Sequence, residues 1–142
     1  MRLVKHLLET KSGIIFSVEK NTSVLEGLQL MMKENISALL IIENGILQGI
    51  FTERDYARKI ILKGRSSKDT PISEVMTSDL LTVSPKDGID HCMQIMTKMH
   101  IRHLPVLEDE KIAGMISIGD LVRFVIEDQK RTIQQLESYI NS

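Results

Sequence analysis

Apolar residues along this chain follow two patterns that alternate with each other. Residues 38–42 form a continuous apolar run, as expected of a strand that is covered on both faces. A short apolar run at residues 14–18 and the segment 46–51 predict two further strands. Between residues 18 and 38, apolar residues recur at helical spacing from residue 24 to residue 32. A second helix is predicted over residues 53–63. The first half of the chain therefore predicts the order strand, helix, strand, strand, helix.

The second half of the chain repeats the first. The sequence Gly-Ile-Phe-Thr-Glu-Arg-Asp at residues 49–55 recurs as Gly-Met-Ile-Ser-Ile-Gly-Asp at residues 114–120, an offset of 65 positions. The same offset, held without a gap, aligns further identical residues, such as Val18 with Val83. Such a register indicates an internal duplication. The second copy accordingly predicts a strand at 80–83, a helix at 89–99, strands at 103–107 and 111–117, and a helix from residue 119.

Neither copy alone is long enough to bury a good core, so the two copies are expected to pack against each other. The predicted fold is α+β, with two βαββα repeats related by a pseudo-two-fold axis and a ligand cleft near that axis. Polar turn residues predict hairpins at 43–45 and 108–110, and apolar residues at 3, 4, 7 and 8 predict a short N-terminal helix. The expected divisions are residues 5–63 for the first repeat, 64–73 for a linker, 74–128 for the second repeat and 129–142 for a C-terminal helix.

The charge of the chain is nearly balanced, with 18 basic and 19 acidic residues and a formal net charge of −1. Such a chain has no overall field to attract nucleic acid or an anionic membrane, so any phosphate must bind at a local site. No stretch approaches the length of a membrane span, and the N-terminus lacks the apolar core of a secretory signal. The single cysteine, Cys92, lies among apolar positions of a predicted helix and is expected to be inert. These features predict a cytoplasmic protein.

The repeated phrase has the form Gly-x-x-Thr/Ser-x-x-Asp and lies where a predicted strand runs into a helix. At a helix start, backbone N–H groups without intrahelical partners favour a bound anion such as a phosphate. The hydroxyl of Thr52 or Ser117 can bond a phosphate or ribose oxygen, and the carboxylate of Asp55 or Asp120 can accept from ribose hydroxyls. The same spacing is that of a capping box, which merely satisfies the helix end. From the residues alone, both interpretations stay open.

The two repeats, the phrase in each of them and the sequence Ile-Arg-His-Leu-Pro-Val at residues 101–106 together resemble the CBS domain family. The resemblance extends from about residue 5 to residue 128, and residues 53–58 and 117–122 are similar to sequences of small stand-alone bacterial proteins made of one CBS pair, a Bateman module. It implies a regulatory module that binds adenine nucleotides and catalyses no reaction. AMP is the first expectation, followed by ADP, ATP and NAD(H). S-adenosylmethionine is an alternative ligand. It lacks a phosphate, however, and would leave Arg54, a candidate phosphate ligand, with no phosphate to bind.

The resemblance also implies ligand-binding roles for residues at matching positions. The first repeat would use Ser17, Ala38, Thr52 and Asp55. The second would use Thr82, His103, Ser117 and Asp120, with Arg102, His103, Leu104 and Pro105 bordering the adenine. Arg54 and Arg58 near a helix start are further candidates for phosphate, since Arg presents a charged fork. Gly119 replaces Arg54 in the second repeat, so we expect the first site to favour di- and triphosphates or NAD and the second to accept AMP.

For partners, the resemblance implies a homodimer, in which two modules form a flat disc through helix contacts, and a separate effector protein of unknown identity. A small enzyme acting on a nucleotide is the alternative function, but the chain offers neither a metal site nor a positioned base. His100 and His103 do not share the helical face that metal ligation at this spacing needs. A DNA-binding regulator is disfavoured by the neutral charge. No catalytic residue and no metal ligand is therefore predicted.

Overall fold

Two similar arrangements of strands and helices make up the computed structural model of the protein, which describes residues 2–141. The predicted α+β class is confirmed. Before the repeats comes helix α1 (Val4–Glu9). The first repeat contains β1 (Ser17–Val18), α2 (Val24–Glu34), β2 (Ala38–Glu43), β3 (Ile46–Thr52) and α3 (Glu53–Asp55), which continues as a π-helix (Tyr56–Ile61). After a 3₁₀ turn (Ile72–Glu74), the second repeat contains α4 (Ile89–Met99), β4 (His103–Glu108), β5 (Lys111–Ser117) and α5 (Ile118–Asn141).

The strands form two small sheets. In the first repeat, β2 pairs in parallel with β1 and antiparallel with β3. In the second repeat, β4 and β5 pair antiparallel, but the strand predicted at 80–83 does not form, and Val83 makes only an isolated parallel bridge to Val106. Leu81 in this stretch is 42% exposed, so the apolar run is not covered on both faces as a central strand would be. The run at 14–18 likewise pairs only over Ser17–Val18.

The pseudo-two-fold relation extends to details of the backbone. The register between paired strands shifts at Ile41/Ile42 and again at Val106/Leu107, 65 positions later. Helices α2 and α4 both end on a residue in the left-handed conformation, Asn35 at φ 53° and His100 at φ 55°. His100 is therefore the C-cap of α4, and helices commonly end on a residue in this left-handed conformation. The two predicted hairpin turns are confirmed, each with two consecutive residues at positive φ, as type I′ turns require.

The helices that follow the third strands differ between the repeats. The 65-residue offset aligns Lys59 with Phe124, and Phe124 is buried in the second core. A lysine is rarely buried unpaired, and in the first repeat the next residue, Ile60, is buried instead. The π-helix over Tyr56–Ile61 holds more residues per turn than an α-helix, and this wider turn brings Ile60 into the core. Lys59 is thereby left free to reach the space between the repeats.

Three groups of buried side chains hold the fold together. One lies within each repeat, and a third lies between them, formed by Ala38, Leu40 and Ile50 with partly buried neighbours that include Leu80 and Met115. Residues from both repeats thus share one apolar seam. This seam confirms the expectation that the two repeats pack against each other.

Helix α1 precedes the first repeat in the chain but packs into the second. Its buried residues Val4 and Leu7 belong to the same cluster as Ile89, Leu104 and Phe124. A backbone hydrogen bond also joins α1 to the second repeat, because the Val4 amide donates to the Asp87 carbonyl oxygen at 2.8 Å. The predicted bounds of the first repeat, residues 5 and 63, follow chain order and stay a prediction. By its packing, α1 belongs to the second repeat.

The predicted C-terminal helix is the continuation of α5, a single helix from Ile118 to Asn141, and residue 142 lies outside the described residues. Every residue of α5 from 129 to 141 is exposed. Within residues 2–141, no helix combines the length and the apolar character that crossing a bilayer would need.

We expect Gly49→Ala to destabilise the protein, because Gly49 lets β3 lie against residues 76 and 77. A Cβ at this position would come within 2.6 Å of Met76 Sδ and 2.8 Å of the Thr77 carbonyl oxygen. The methionine can move, but the backbone oxygen can do so only by shifting the chain, at a cost of about 1–3 kcal/mol. Gly13→Ala is the control, since nothing lies within 4 Å of its added Cβ. Urea denaturation of both variants measures the difference, and equal midpoints would contradict the expectation.

Candidate ligand-binding cleft

A cleft with a volume of about 690 Å³ lies between the two repeats. Its lining comes from the start of α3 in the first repeat and from the stretch between α4 and β4 in the second. Residues 77–81, which lead into the second repeat, form a third side. The lining residues are Ser37, Ile50, Thr52, Glu53, Arg54, Asp55, Arg58, Lys59, Thr77, Asp79, Leu80, Leu81, Met99, His100, Ile101, Arg102, His103 and Pro105.

The repeated phrase of the first repeat forms one wall of the cleft. The Asp55 amide donates to Thr52 Oγ1 at 3.2 Å, and the Thr52 amide donates back to Asp55 Oδ2 at 3.0 Å. The capping-box interpretation is therefore confirmed. The other carboxylate oxygen, Oδ1, accepts from the Thr77 hydroxyl at 2.9 Å and lies 3.1 Å from Lys59 Nζ. Asp55 is only 6% exposed, so a fixed, hydrogen-bonded carboxylate stands at the edge of the cleft.

Four cationic side chains surround the same space, three from the first repeat (Arg54, Arg58, Lys59) and Arg102 from the second. Arg54 Nη1 donates to the His100 carbonyl oxygen at 2.9 Å, so this side chain reaches across the cleft to the second repeat. Lys59 Nζ donates to the Val75 carbonyl oxygen at 3.1 Å. Arg58 also lines the cleft, and no ion pair of Arg58 occurs among residues 2–141. These four cations outnumber the three carboxylates of the lining, Glu53, Asp55 and Asp79, and this small excess of positive charge suits an anionic ligand.

The second repeat supplies the opposite wall through Arg102, His103 and Pro105. His103 Nε2 lies 3.1 Å from the Ser37 hydroxyl, which gives a polar contact between the repeats. Burial lowers the pKa of His103, outweighing the nearby carboxylate of Asp120, which acts in the opposite direction. His103 is therefore a neutral imidazole at physiological pH, able to donate from one nitrogen and accept at the other.

The cleft brings together seven of the residues that the sequence predicted. They come from both repeats: Thr52, Arg54, Asp55, Arg58, Arg102, His103 and Pro105. The sequence had divided them into one site for each repeat, whereas this cleft joins the phrase of the first repeat to the Arg-His-Leu-Pro run of the second. The predicted residues that do not line it are Ser17, Ala38, Thr82, Leu104, Ser117 and Asp120. Ala38 and Leu104 are core residues, 1% and 0% exposed.

Asp120, the counterpart of Asp55, is engaged by the protein's own cations. Its Oδ2 accepts from the Ser117 amide at 2.8 Å and from Lys11 Nζ at 2.8 Å, and its Oδ1 accepts from Arg123 at 2.8 Å. Burial acts to raise the pKa of Asp120, but the bonds from Lys11 and Ser117 outweigh it and lower that pKa. Lys11 also donates to the Met115 carbonyl oxygen at 2.7 Å. The second phrase is thus a cap whose carboxylate is already neutralised.

Several cleft residues escaped the sequence prediction. Lys59 follows Asp55 by four positions, so helical spacing could have paired them. Thr77 could not have been found, because it reaches Asp55 only through the bridge between Ile50 and residue 77. Within residues 2–141, no group of three or more histidine, cysteine or acidic residues is arranged to hold a metal ion. The thiol of Cys92 is buried, and its burial raises its pKa to about 11.

Comparison with known proteins identifies relatives along almost the whole chain. A family model of the CBS domain matches residues 11–62 and again residues 72–127. A solved protein with CBS domains from Burkholderia ambifaria is 45% identical, with a TM-score of 0.86 over 89% of this chain and 96% of its own. The CBS domain pair of protein MJ0100, solved with 5′-methylthioadenosine and S-adenosyl-L-methionine, is 28% identical, with a TM-score of 0.79 over 90% of this chain and 98% of its own.

Among curated proteins, the CBS domain-containing protein CBSX3 of Arabidopsis thaliana, named as mitochondrial, is 43% identical over 123 residues. The match covers 83% of this chain and 60% of the relative, so the chain spans less than two thirds of the length of that protein.

Stability should fall when the pH drops below about 6.5, the ordinary histidine value, because burial keeps the folded-state pKa of His103 below it. In that range the unfolded chain takes up a proton at His103 that the folded chain does not, and this difference favours unfolding. Above it both states are neutral at this residue and the effect vanishes. His103→Gln should therefore lose less unfolding free energy than the wild type between pH 7.5 and pH 5, as urea titrations can measure. His91→Gln, at an exposed position of α4, is the control. If the unfolding free energy of the wild type and of His103→Gln depended on pH in the same way, the pKa of His103 would not be lowered by folding.

Proposed function

The chain belongs to the CBS domain family, and we propose that its inter-repeat cleft binds an adenine nucleotide in a regulatory rather than a catalytic role. One observation carries the proposal. The cleft combines a buried carboxylate at a helix start, a group of cations and a partly apolar wall within a single space. Its volume of about 690 Å³ lies in the range of small-molecule sites. Ribose, phosphate and base each find a suitable surface there.

We assign the parts of the nucleotide by chemistry. Asp55 accepts from the ribose hydroxyls, as acidic residues do in other nucleotide sites. Arg54, Arg58 and Lys59 neutralise the phosphates, and Thr52 bonds a phosphate or ribose oxygen. The adenine lies against the wall that includes His103 and Pro105, where a neutral imidazole can hydrogen-bond to a ring nitrogen.

AMP is our first choice of ligand, with ADP, ATP and NAD(H) as close alternatives. The complexes of protein MJ0100 support the adenosine part, since 5′-methylthioadenosine and S-adenosyl-L-methionine both contain it. Neither of those ligands carries a phosphate. The cations Arg54, Arg58 and Arg102 around this cleft favour a phosphate-bearing ligand over S-adenosylmethionine.

A second site related by the pseudo-two-fold axis would use Ser117 and Asp120 with residues of the first repeat such as Ser17 and Ala38. Thr82, which the sequence also assigned to this site, remains a candidate. Two cations, Lys11 and Arg123, bond to Asp120, whereas one cation, Lys59, pairs with Asp55, so more bonds must be exchanged before a ribose can bind at Asp120. We therefore propose that the cleft at Asp55 fills first and that the Asp120 site binds more weakly.

The wider role follows from the same proposal. A module that binds a nucleotide without turning it over reports energy or redox state to a separate effector protein. We also propose a homodimer of about 32 kDa, because closed two-fold dimers are the commonest assembly of chains such as this one of 16.1 kDa. We place the protein in the cytoplasm, although the Arabidopsis relative is named as mitochondrial.

Native mass spectrometry of freshly purified protein, followed by calorimetric titration with each nucleotide, tests the proposal. A retained mass of an adenine nucleotide, or binding at micromolar concentration, is the expected result. Incubation with ATP, ADP and NAD should leave all three intact, whereas turnover would favour the alternative of a small nucleotide-acting enzyme. Failure of every adenine nucleotide to bind would refute the proposal.

Asp55→Asn should weaken AMP binding at the cleft by about 1.5–3 kcal/mol, the loss of hydrogen bonds to a charged group. Asparagine keeps an oxygen that can accept from the Thr52 amide, so the helix cap is preserved. Asp120→Asn is the matched control at the corresponding position of the second phrase and should leave the tighter binding step unchanged. Calorimetry of the three proteins provides the comparison. Equal losses in both variants would disprove the unequal filling of the two sites.

Arg54→Ala should reduce affinity for ADP more than affinity for AMP, because Arg54 lies beside the proposed phosphate region and ADP carries more charge. We expect roughly a further tenfold loss for ADP, the effect of about 1.4 kcal/mol from one charge-assisted hydrogen bond. Arg65→Ala is the control, since Arg65 pairs with Glu74 and does not line the cleft. Competitive titration decides the matter. An equal loss for both nucleotides would mean that Arg54 does not select for the second phosphate.

A further inference from the structure

The C-terminal part of α5 extends beyond the body of the molecule and exposes large apolar side chains. The last residue of α5 that is buried is Phe124. Three of these apolar side chains are more than half exposed: Ile133 at 54%, Leu136 at 57% and Ile140 at 76%. Exposure of such apolar surface to water is unfavourable. Scattered apolar residues on a surface need no explanation, but a continuous stripe marks an interaction surface.

The exposed apolar residues of α5 follow a heptad pattern. Steps of four and three residues alternate along the positions Val122, Ile126, Gln129, Ile133, Leu136 and Ile140. Five of these six positions are large and apolar, and each of the five is at least 43% exposed. This spacing is that of the a and d positions of a two-stranded coiled coil. The stripe lies on a different side of the helix from Leu121 and Phe124, which face the body of the molecule.

We propose that α5 pairs with α5 of a second copy of this chain, as an antiparallel two-stranded coiled coil. In this arrangement an a residue of one helix faces a d residue of the other. Ile126 meets Leu136 of the second copy, Ile133 meets Gln129, and Ile140 meets Val122. The two-fold axis passes near residue 131, so each of these contacts occurs twice. This pairing gives the homodimer a different geometry from the flat disc that the resemblance implies, and it does not depend on ligand binding in the cleft.

The charges beside the stripe favour a second copy in the antiparallel direction. At the flanking e positions, Arg123 near the start of one stripe faces Glu137 near the end of the other, twice in the dimer. The remaining e position, Lys130, faces Lys130 of the second copy once, at the axis, and each Lys130 is paired with Glu127 of its own chain. The Arg123 side chain is 73% exposed and uses Nη2 for Asp120, which leaves further N–H groups for a second carboxylate. Glu137 makes no ion pair within residues 2–141. In a parallel pair, Glu137 would instead face Thr132, without an opposite charge.

A lipid surface is a poorer fit to the same stripe. Amphipathic helices that bind anionic membranes carry mainly basic residues on their polar face. The polar face here mixes Lys130 and Arg131 with Glu127, Asp128 and Glu137. Acidic residues outnumber basic ones in this stretch, so no net attraction to anionic lipid is available.

Cysteine crosslinking tests the direction of pairing. Gln129→Cys combined with Ile133→Cys places two thiols face to face in the antiparallel pair, and mild oxidation should give a covalent dimer. Either substitution alone should give none, because each new cysteine then faces an unchanged residue. In a parallel pair, each single variant would crosslink to itself, and that result would overturn the proposal. The wild type is the negative control and should give no covalent dimer, because its cysteine, Cys92, is buried. Absence of a covalent dimer from the double variant would also overturn it.

Sedimentation tests whether the stripe stabilises the dimer in solution. Ile133→Glu places a charge in the middle of the proposed interface, and we expect its dimer dissociation constant to rise at least tenfold. Gln135→Glu adds the same charge at an exposed position outside the stripe and should behave like the wild type. Circular dichroism of both variants confirms that α5 remains helical. If Ile133→Glu dissociates no more readily than Gln135→Glu, α5 is not the pairing surface. Nucleotide binding is measured separately, so failure of one proposal is not mistaken for failure of the other.

Discussion

The apolar seam between the two repeats is the contact on which the rest of the molecule depends. Ala38, Leu40 and Ile50 are almost completely buried there, together with side chains from the second repeat. Because burial of such side chains is the main favourable term in folding, the shared surface adds to the stability of two units of this size. The same contact sets β3 beside residue 77, and the Thr77 hydroxyl then holds Asp55. The cleft exists because the seam closes only part of the space between the repeats.

The phrase in each repeat illustrates how a structural device and a binding site use one geometry. A capping carboxylate has to stand at a helix start with its oxygens fixed, and a ribose-binding carboxylate needs the same placement. The duplication copied the cap faithfully, as the matching bonds in Thr52–Asp55 and Ser117–Asp120 indicate. What changed are the cations around it. Lys11 and Arg123 contact Asp120, whereas Asp55 is contacted by Lys59 and a neutral threonine.

Sequence alone predicted most of the secondary structure, because local periodicity and turn residues determine it. Helices α2 and α4, the strand pairs and both type I′ turns agree with their predicted positions. The errors arise where tertiary contacts decide. The run at 80–83 looks like a strand, but one side of it faces the cleft. The π-helix depends on which residue, Lys59 or Ile60, enters the core, and no local pattern distinguishes an α-helical turn from a π turn there.

The crossing of α1 from one repeat to the other has a consequence for how the chain folds during synthesis. Val4 and Leu7 leave the ribosome well before Leu104 and Phe124, which belong to the core that receives them. Helix α1 therefore stays uncovered until the second repeat has emerged. Six residues form a helix that is far too short to be stable alone in water. Its docking follows the synthesis of the second repeat, and it joins the segment before the first repeat to the second.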